Sequence, residues 1–171
     1  MAYEQAFDPT DPGVIELKEL PAGRLLESVS NGSYFDSSNG LFRPLFNYIQ
    51  KNDIAMTTPV EARVDPGAMY FWVSKEQEAK AKESTPNVRV IDVPKRQVLA
   101  VGGRGSYSES NFKKSKAILM DWLEKHPEFE AVGEPFGVYW NGPFTPWFMK
   151  RYEVQVEVRP SLQASEELAS R

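Results

Sequence analysis

Apolar and polar side chains alternate along two long stretches of the chain, residues 54–64 and 151–159. This period of two is typical of a β-strand with one buried face. Residues 68–73 and 137–140 are predicted as two further strands, each next to one of these stretches. In the last strand the apolar positions include Tyr152, so we expect the polar residues between them to point away from the core.

A proline interrupts the first of these strands, in the segment Met-Thr-Thr-Pro that ends at Pro59. Proline has no backbone N–H to donate to a neighbouring strand, so it is confined to edge strands or bulges. We therefore expect Pro59 to end or bend an edge strand, or to sit in a β-bulge.

Two other stretches carry apolar residues at helical spacing and follow polar residues of the types that cap helix N-termini. The first stripe comprises Leu41, Phe42, Leu45, Phe46 and Ile49, and the second comprises Phe112, Ile118, Leu119, Trp122 and Leu123. Each stripe predicts a helix that covers a sheet.

The two halves of the chain share a pattern. Pro21 is followed by Gly-Ser-Tyr at Tyr34, and the same arrangement recurs 73 residues later, from Pro94 to Tyr107. Self-similarity at a fixed spacing predicts an internal repeat, about residues 14–73 and 87–159. Each half then reads β-α-β-β. Two such units would form one antiparallel sheet, covered by two helices, with a groove where the halves meet.

Composition narrows the class of protein. The chain has 171 residues, of which 41% are hydrophobic and 26% charged, and no cysteine. We expect one domain over residues 13–159, with polar tails at 1–12 and 160–171. Thiolate metal sites and disulfides are excluded, and the N-terminal residues lack the pattern of a secretory signal, so we expect a cytoplasmic protein. No apolar run is long enough to span a membrane. We also expect a monomer. The net charge of −4, with bases dispersed among acids, argues against nucleic acid as a partner.

Three segments resemble the SOUL heme-binding protein family: "LFRPLFNYI", "NDIAMTTPV" and "GPFTPWFMKRYEVQVEV". The resemblance covers roughly residues 13–159. It implies an α+β fold of two β-α-β-β repeats, a distorted antiparallel barrel or sheet flanked by two helices, of the SOUL or GyrI-like type. It also implies that the protein binds heme or another flat apolar tetrapyrrole, which we expect at low occupancy after purification.

A porphyrin is a flat apolar disc with two propionates, so rings and a few cations would hold it. The chain is 12% aromatic, which supplies such rings. Arg43, Lys150 and Arg151 are the cations that we expect near the propionates. The apolar walls are predicted to be Phe42, Phe46, Met56, Tyr70, Trp72, Trp140, Phe144, Trp147 and Phe148.

Strong ligation of the iron is not expected. The one histidine, His126, follows the second predicted helix, where the helix dipole and solvent account for it. Met56 is better explained as a side chain that fills a gap than as a soft ligand. We therefore predict heme binding without a histidine ligand, no metal-binding residues, and binding that survives His126→Ala.

Two alternatives stay open. A GyrI-like small-molecule-binding or hydrolytic module would use a groove carboxylate, either Glu61 or Glu153. A protein-interaction module would use the aromatic C-terminal loop. A catalytic triad would require His126, and no catalytic residue is assigned, so we favour a binding protein without catalytic activity.

Overall fold

The computed structural model describes residues 4–142, 144–162 and 169. The α-helices in this part are α1 (Tyr34–Lys51) and α2 (Glu109–Glu124), and two short 3-10 helices span Lys75–Lys80 and Trp147–Met149. The strands are β1 (Glu4–Gln5), β2 (Ile15–Leu20), β3 (Gly23–Val29), β4 (Thr57–Arg63), β5 (Ala68–Val73), β6 (Arg89–Val93), β7 (Arg96–Arg104), β8 (Phe129–Tyr139) and β9 (Arg151–Pro160). No helix among the described residues is long and apolar enough to cross a membrane.

These strands form one large sheet in the order β2-β7-β9-β8-β4-β5-β3-β6. Every neighbour along this path is antiparallel, and β1 adds a short parallel pairing to β4. The predicted α+β class, an antiparallel sheet covered by two helices, is confirmed. The sheet is open and is not a closed barrel.

Each half of the chain contributes one strand that pairs with a strand of the other half. Strand β2, from the first half, pairs with β7, and β6, from the second half, pairs with β3. A shift of 73 residues carries the pair Leu20–Arg96 onto the pair Val93–Gly23, and both pairs occur in the sheet. The internal repeat stays a prediction, and this register supports it.

Helix α1 buries Leu41, Leu45 and Ile49 against the sheet, as the hydrophobic stripe predicts. Phe42 and Phe46, which belong to the same stripe, are partly exposed at its margin. An apolar stripe wider than the contact between helix and sheet leaves its outer members in solvent.

Ser108 caps the N-terminus of helix α2, and its hydroxyl accepts a hydrogen bond of 3.1 Å from the Asn111 N–H. Such a cap satisfies one of the amide groups that the first helical turn leaves without a partner. Leu119 is fully buried, whereas its neighbour Ile118 is 47% exposed. Ile118 was predicted to belong to the buried stripe, but it lies on the solvent side of the helix.

The interruption at Pro59 is a β-bulge in the middle of the sheet. The pairing of β4 with β5 shifts register between Thr57 and Val60. Because β4 lies between β5 and β8, the edge-strand alternative is wrong and the bulge alternative is confirmed. The short strand β1 pairs with Thr57 and Thr58 at this bulge.

Both faces of the sheet are covered. Helices α1 and α2 cover one face, where the main core includes Phe71, Leu99 and Val156. On the opposite face a second cluster contains Leu20, Val98, Phe136, Val138 and Trp140, and Phe7 packs against it. We call this opposite face the groove face.

Residues 4–12, which we call the N-terminal strap, lie across the groove face. The Ala6 N–H donates to the Thr58 carbonyl at 2.8 Å, and Pro12 forms an isolated bridge with Gly102. A Cβ at residue 102 would overlap the backbone of Asp11, so the close approach of the strap requires glycine here. The strap therefore packs on the sheet, whereas the sequence suggests a tail.

The limits of the domain stay a prediction. Within the predicted C-terminal tail, Pro160 still belongs to β9. Residues 163–168, 170 and 171 of that tail lie outside the described residues, as do residues 1–3 at the other end.

Two neighbouring residues of α2 test how the helix packs. Leu119→Ala should lower the free energy of unfolding by about 2–5 kcal/mol, because it removes a fully buried side chain. Ile118→Ala, the matched control, should cost less than about 1 kcal/mol, because that side chain is half in water. Urea denaturation measures both values. Equal costs would mean that the rotation of α2 is wrong.

Candidate functional site

The groove face contains a buried carboxylate on β4. Glu61 Oε1 accepts a hydrogen bond of 2.9 Å from Arg96 Nη2 and one of 3.2 Å from the indole Nε1 of Trp72. Glu61 and Arg96 are both buried. Glu61 therefore has a charged partner on β7, three strands away in the sheet.

A second carboxylate, Glu153 on β9, has a similar set of partners. Its Oε1 forms an ion pair of 2.7 Å with Lys18 Nζ, and its Oε2 accepts from Trp140 Nε1 at 2.7 Å. The Thr10 N–H and Gln155 Nε2 donate two further hydrogen bonds, of 3.1 and 2.9 Å.

The expectation that the polar face of β9 points away from the core is wrong for Glu153. This side chain lies on the face opposite Tyr152, as the alternation predicts, but it is fully buried. The N-terminal strap and Trp140 cover it. Alternation distinguishes the two faces of a strand and does not tell whether the second face is also covered.

The two ion pairs make the floor of the groove electrically balanced. Each carboxylate has one cation, and in both pairs the cation comes from the other half of the chain. A buried charge that loses its partner is strongly destabilising. Neither Glu61 nor Glu153 is therefore an accessible general base, and the hydrolytic alternative gains no support here.

The ring of Phe7 lies between Trp72 and Trp140, the two tryptophans whose indole N–H groups donate hydrogen bonds to the carboxylates. Its centroid is 5.9 Å from the Trp72 ring and 5.2 Å from the Trp140 ring, in edge-to-face geometry. The Lys18 ammonium lies 4.9 Å from the centroid of the Phe7 ring. The strap thus places an aromatic group at the centre of the groove.

Four buried side-chain atoms have no hydrogen-bond partner within the described part of the chain. They are Thr57 Oγ1, Arg96 Nε, Arg151 Nε and Gln155 Oε1. Most buried polar groups in proteins are paired, so these atoms call for an explanation.

The twelve predicted ligand residues do not come together in one pocket. Tyr70, Trp72 and Trp140 lie on the groove face. Burial and a hydrogen bond with Glu27 raise the pKa of Tyr70. Trp72 and Trp140 were predicted as walls of a porphyrin site. In the structure they donate hydrogen bonds to Glu61 and Glu153 and contact the ring of Phe7.

A second group lies on the helix side. Phe42 and Phe46 stack with ring centroids 5.5 Å apart, and Phe42 meets Phe71 edge-on at 5.6 Å. Arg43 is exposed on the same helix. Met56 packs against the main core, and its role as a side chain that fills a gap stays a prediction.

The third group forms a loop between β8 and β9. Phe144 is 99% exposed, Trp147 66%, and Phe148 and Met149 56% each. Trp147 and Phe148 meet edge-on at 5.8 Å. We call residues 144–149 the aromatic loop.

Two cations follow the aromatic loop. Lys150 Nζ lies 4.9 Å from the centroid of the Tyr107 ring, and no ion pair to Lys150 occurs among the described residues. Arg151 Nη2 forms an ion pair of 2.8 Å with Asp11 of the strap. The aromatic loop is therefore followed by one cation without an ion pair in the described structure, Lys150, and by one that Asp11 already pairs, Arg151.

Tyr107 anchors the base of this loop. Its hydroxyl donates to the Arg151 carbonyl at 2.8 Å and accepts from the Asn141 N–H at 2.8 Å. Its ring lies 4.4 Å from that of Tyr139. Burial raises the pKa of Tyr107 to about 12, although its backbone hydrogen bonds lower it.

His126 contacts Trp122 of helix α2. Its imidazole stacks on Trp122 with centroids 3.7 Å apart, and its Nδ1 lies 2.7 Å from the Trp122 carbonyl oxygen. No group of three or more histidine or carboxylate side chains that could hold a metal ion occurs in the described ranges.

A surface cleft of about 560 Å³ lies between α1 and the segment that follows β5. Tyr48, Lys51 and Lys82 are among its lining residues, and none of the twelve predicted ligand residues lines it. Sequence reasoning also missed Phe7, Lys18 and Arg96, the partners that define the groove floor. The segment before residue 13 contains the aromatic residues Tyr3 and Phe7, and this was the available signal for Phe7.

A profile of the SOUL heme-binding protein family matches residues 3–157. The chain belongs to this family. The match spans the strap, the sheet, both helices and the aromatic loop, so each of these is a part of the SOUL domain as it occurs here. No curated protein matches the chain significantly.

Solved structures with similar folds include the C-terminal domain of EcmrR, with a TM-score of 0.70, 16% identity, and coverage of 86% of this chain and 98% of that one. A hydrolase from Listeria innocua has a TM-score of 0.57 and 11% identity, covering 88% and 94% of the two chains. SAV2435 bound to tetraphenylphosphonium has a TM-score of 0.55 and 12% identity, covering 85% and 94%. At such identities the likeness shows the fold alone.

The raised pKa of Tyr107 predicts how stability depends on pH. An unfolded tyrosine titrates near pH 10, so the folded protein keeps a proton that the unfolded chain loses. The contribution of Tyr107 should be complete below about pH 10 and should be lost as pH rises toward about 12. Urea denaturation at pH 8 and pH 11 measures this loss.

Tyr107→Phe is the matched comparison, because it keeps the ring and removes the titrating hydroxyl. The variant should be less stable at pH 8, since two hydrogen bonds are lost, and should show a smaller fall between the two pH values. An equal fall in both proteins would contradict the assigned burial.

Proposed function

We propose that this SOUL-family protein binds heme or another tetrapyrrole on the aromatic loop, with Lys150 and Arg151 near the propionates and without a strong histidine ligand. Membership of the family supports tetrapyrrole binding at the level of the family. The assignment to this loop rests on the chain's own residues.

The exposure of the aromatic loop carries the proposal. Four large apolar side chains project into water within six residues, and exposed apolar groups that cluster in this way typically mark a binding surface. A flat macrocycle would cover the rings of Trp147 and Phe148. Large rings lose little conformational entropy when a ligand covers them.

The cations beside the loop fit the charged edge of a porphyrin. Lys150 lacks an ion pair in the described structure, so its ammonium is available to a carboxylate. Arg151 presents a guanidinium that matches carboxylate geometry, and a propionate would take the place of Asp11 there. The loop thus offers an apolar surface with positive charge at one end.

The groove face does not fit heme in the same way. Phe7 fills the space between its tryptophans, and its polar floor consists of carboxylates that already have cations. Propionates would meet Glu61 or Glu153. The distribution of charge therefore favours the loop over the groove.

The position of His126 supports binding without ligation by this residue. One ring nitrogen lies against the Trp122 carbonyl and the ring is stacked on the indole. We expect weak to moderate affinity and low occupancy after purification, because apolar contact and two ion pairs replace a covalent iron bond.

Titration with hemin and with iron-free protoporphyrin tests the proposal. Both should bind saturably, with affinities within about threefold of each other, because no strong iron ligand contributes. Replacing both rings, Trp147→Ala with Phe148→Ala, should weaken both ligands by about tenfold or more. His126→Ala should leave both affinities unchanged.

Val29→Ala is the matched control, because it removes an exposed apolar side chain from a strand outside the loop. It should bind both macrocycles like the wild type. Equal binding by the double loop variant and the wild type would overturn the assignment to the loop. If neither hemin nor protoporphyrin bound saturably, the proposal of tetrapyrrole binding would be wrong. The aromatic loop would then be better explained as a protein-interaction surface.

A further inference from the structure

We propose that the cleft between α1 and residues 79–88, which we call the α1 cleft, is a second ligand site that binds a small organic phosphate monoester. Its volume of about 560 Å³ lies within the range of roughly 300–1,000 Å³ that is typical of small-molecule sites. No residue of the aromatic loop lines it, so the proposal goes beyond tetrapyrrole binding. Three features of the cleft carry the proposal: its charge, its hydrogen-bond donors and its fixed wall.

Positive charge prevails in the α1 cleft, although the chain as a whole has a net charge of −4. Among its lining residues are three lysines, Lys51, Lys80 and Lys82, and one carboxylate, Glu83. Lys80 Nζ lies 3.5 Å from a carboxylate oxygen of Asp53. No ion pair to the other two lysines occurs in the part of the chain that the structure describes. Two ammonium groups are therefore available to an anionic ligand.

Two neighbouring hydroxyls add hydrogen-bond donors. Ser84 Oγ accepts the Val90 N–H at 3.0 Å, and Thr85 Oγ1 accepts the Val88 N–H at 3.1 Å. Each oxygen is thus used as an acceptor, and its own hydrogen remains to be donated. A phosphate monoester has three acceptor oxygens and a charge of about −1.5 to −2, so hydroxyls beside lysines suit it.

The same cleft has an apolar part, which suits the organic group of the ester. Tyr48 and Val88 are buried lining residues and belong to the floor of the cleft, and Pro44 is half-buried beside them. Asn47 and Asn87 line the cleft with side-chain amides that have no partner among the described residues. Inorganic phosphate would leave these groups in water, whereas an organic ester would contact them.

The wall opposite α1 is fixed without a ligand. Residues 81–88 form no helix or strand, and yet side chains of two other elements hold their backbone. The Tyr48 hydroxyl donates to the Glu83 carbonyl at 2.8 Å, and Arg24 Nη1 donates to the Ala81 carbonyl at 3.1 Å. Ala81 is fully buried. A site that is already formed loses less conformational entropy when it binds a ligand.

Three probes test the proposal on the full-length protein by calorimetric titration: 1-naphthyl phosphate, 1-naphthol and inorganic phosphate. The naphthyl phosphate should bind saturably, and more weakly as ionic strength rises. The other two should bind at least about tenfold more weakly, because each lacks either the charge or the organic group. Amide NMR shifts caused by the naphthyl phosphate should be largest at residues 79–88.

Variants of the lining residues should change the affinity in opposite directions. Lys51→Gln with Lys82→Gln should weaken the naphthyl phosphate by about tenfold or more. Glu83→Gln should tighten it by about threefold, because it removes a repelling charge and keeps the backbone carbonyl that Tyr48 holds. The matched control is Lys114→Gln with Lys116→Gln on α2, which removes the same charge outside the cleft and should bind like the wild type.

Three results would overturn the proposal. They are equal binding of 1-naphthol and its phosphate, an equal loss of affinity in the two double lysine variants, and amide shifts that fall in the aromatic loop. Sedimentation with vesicles that contain phosphatidic acid, without binding of the naphthyl phosphate, would indicate a lipid surface and would also overturn it. The double variant Trp147→Ala and Phe148→Ala should keep its affinity for the naphthyl phosphate while it loses affinity for hemin, so the two proposed sites can fail separately.

Discussion

The structure depends on two buried carboxylates, each of which pairs with a cation from the other half of the chain. Glu61 binds Arg96 and the indole of Trp72, and Glu153 binds Lys18 and the indole of Trp140. In each case the acid and its cation come from different halves of the chain. Because an unpaired buried charge is so unfavourable, the two pairs fix how the halves meet. The two halves are also joined by backbone hydrogen bonds, because β2 pairs with β7 and β6 pairs with β3.

This arrangement leaves two chemically different surfaces on the molecule. The groove face is charge-balanced, ring-lined and covered by the strap, whereas the aromatic loop is open to water and ends in two cations. Asp11 links the two regions, since the strap is tied to Arg151 at the end of the loop. The SOUL domain here therefore has two chemically distinct surfaces that one ion pair connects.

Much of the fold could be predicted from the sequence, because periodicity reports which side of an element is buried. The strand over residues 151–159, the bulge at Pro59 and both helices follow from local pattern. The candidate site could not be predicted in this way. Glu153 is covered by Thr10, which lies 143 residues earlier, and no local pattern reports such a contact. Similarly, the wide apolar stripe of α1 does not show that Phe42 lies at its margin.

A double-mutant cycle on Glu61 and Arg96 tests the central claim most directly. The free energies of unfolding of Glu61→Gln, Arg96→Met and the double variant would be measured by urea denaturation. A coupling energy of about 2 kcal/mol or more is predicted, because each single change leaves a buried charge without its partner and the double change leaves none. Single effects that simply add would show that the two side chains do not depend on each other, and would contradict the account.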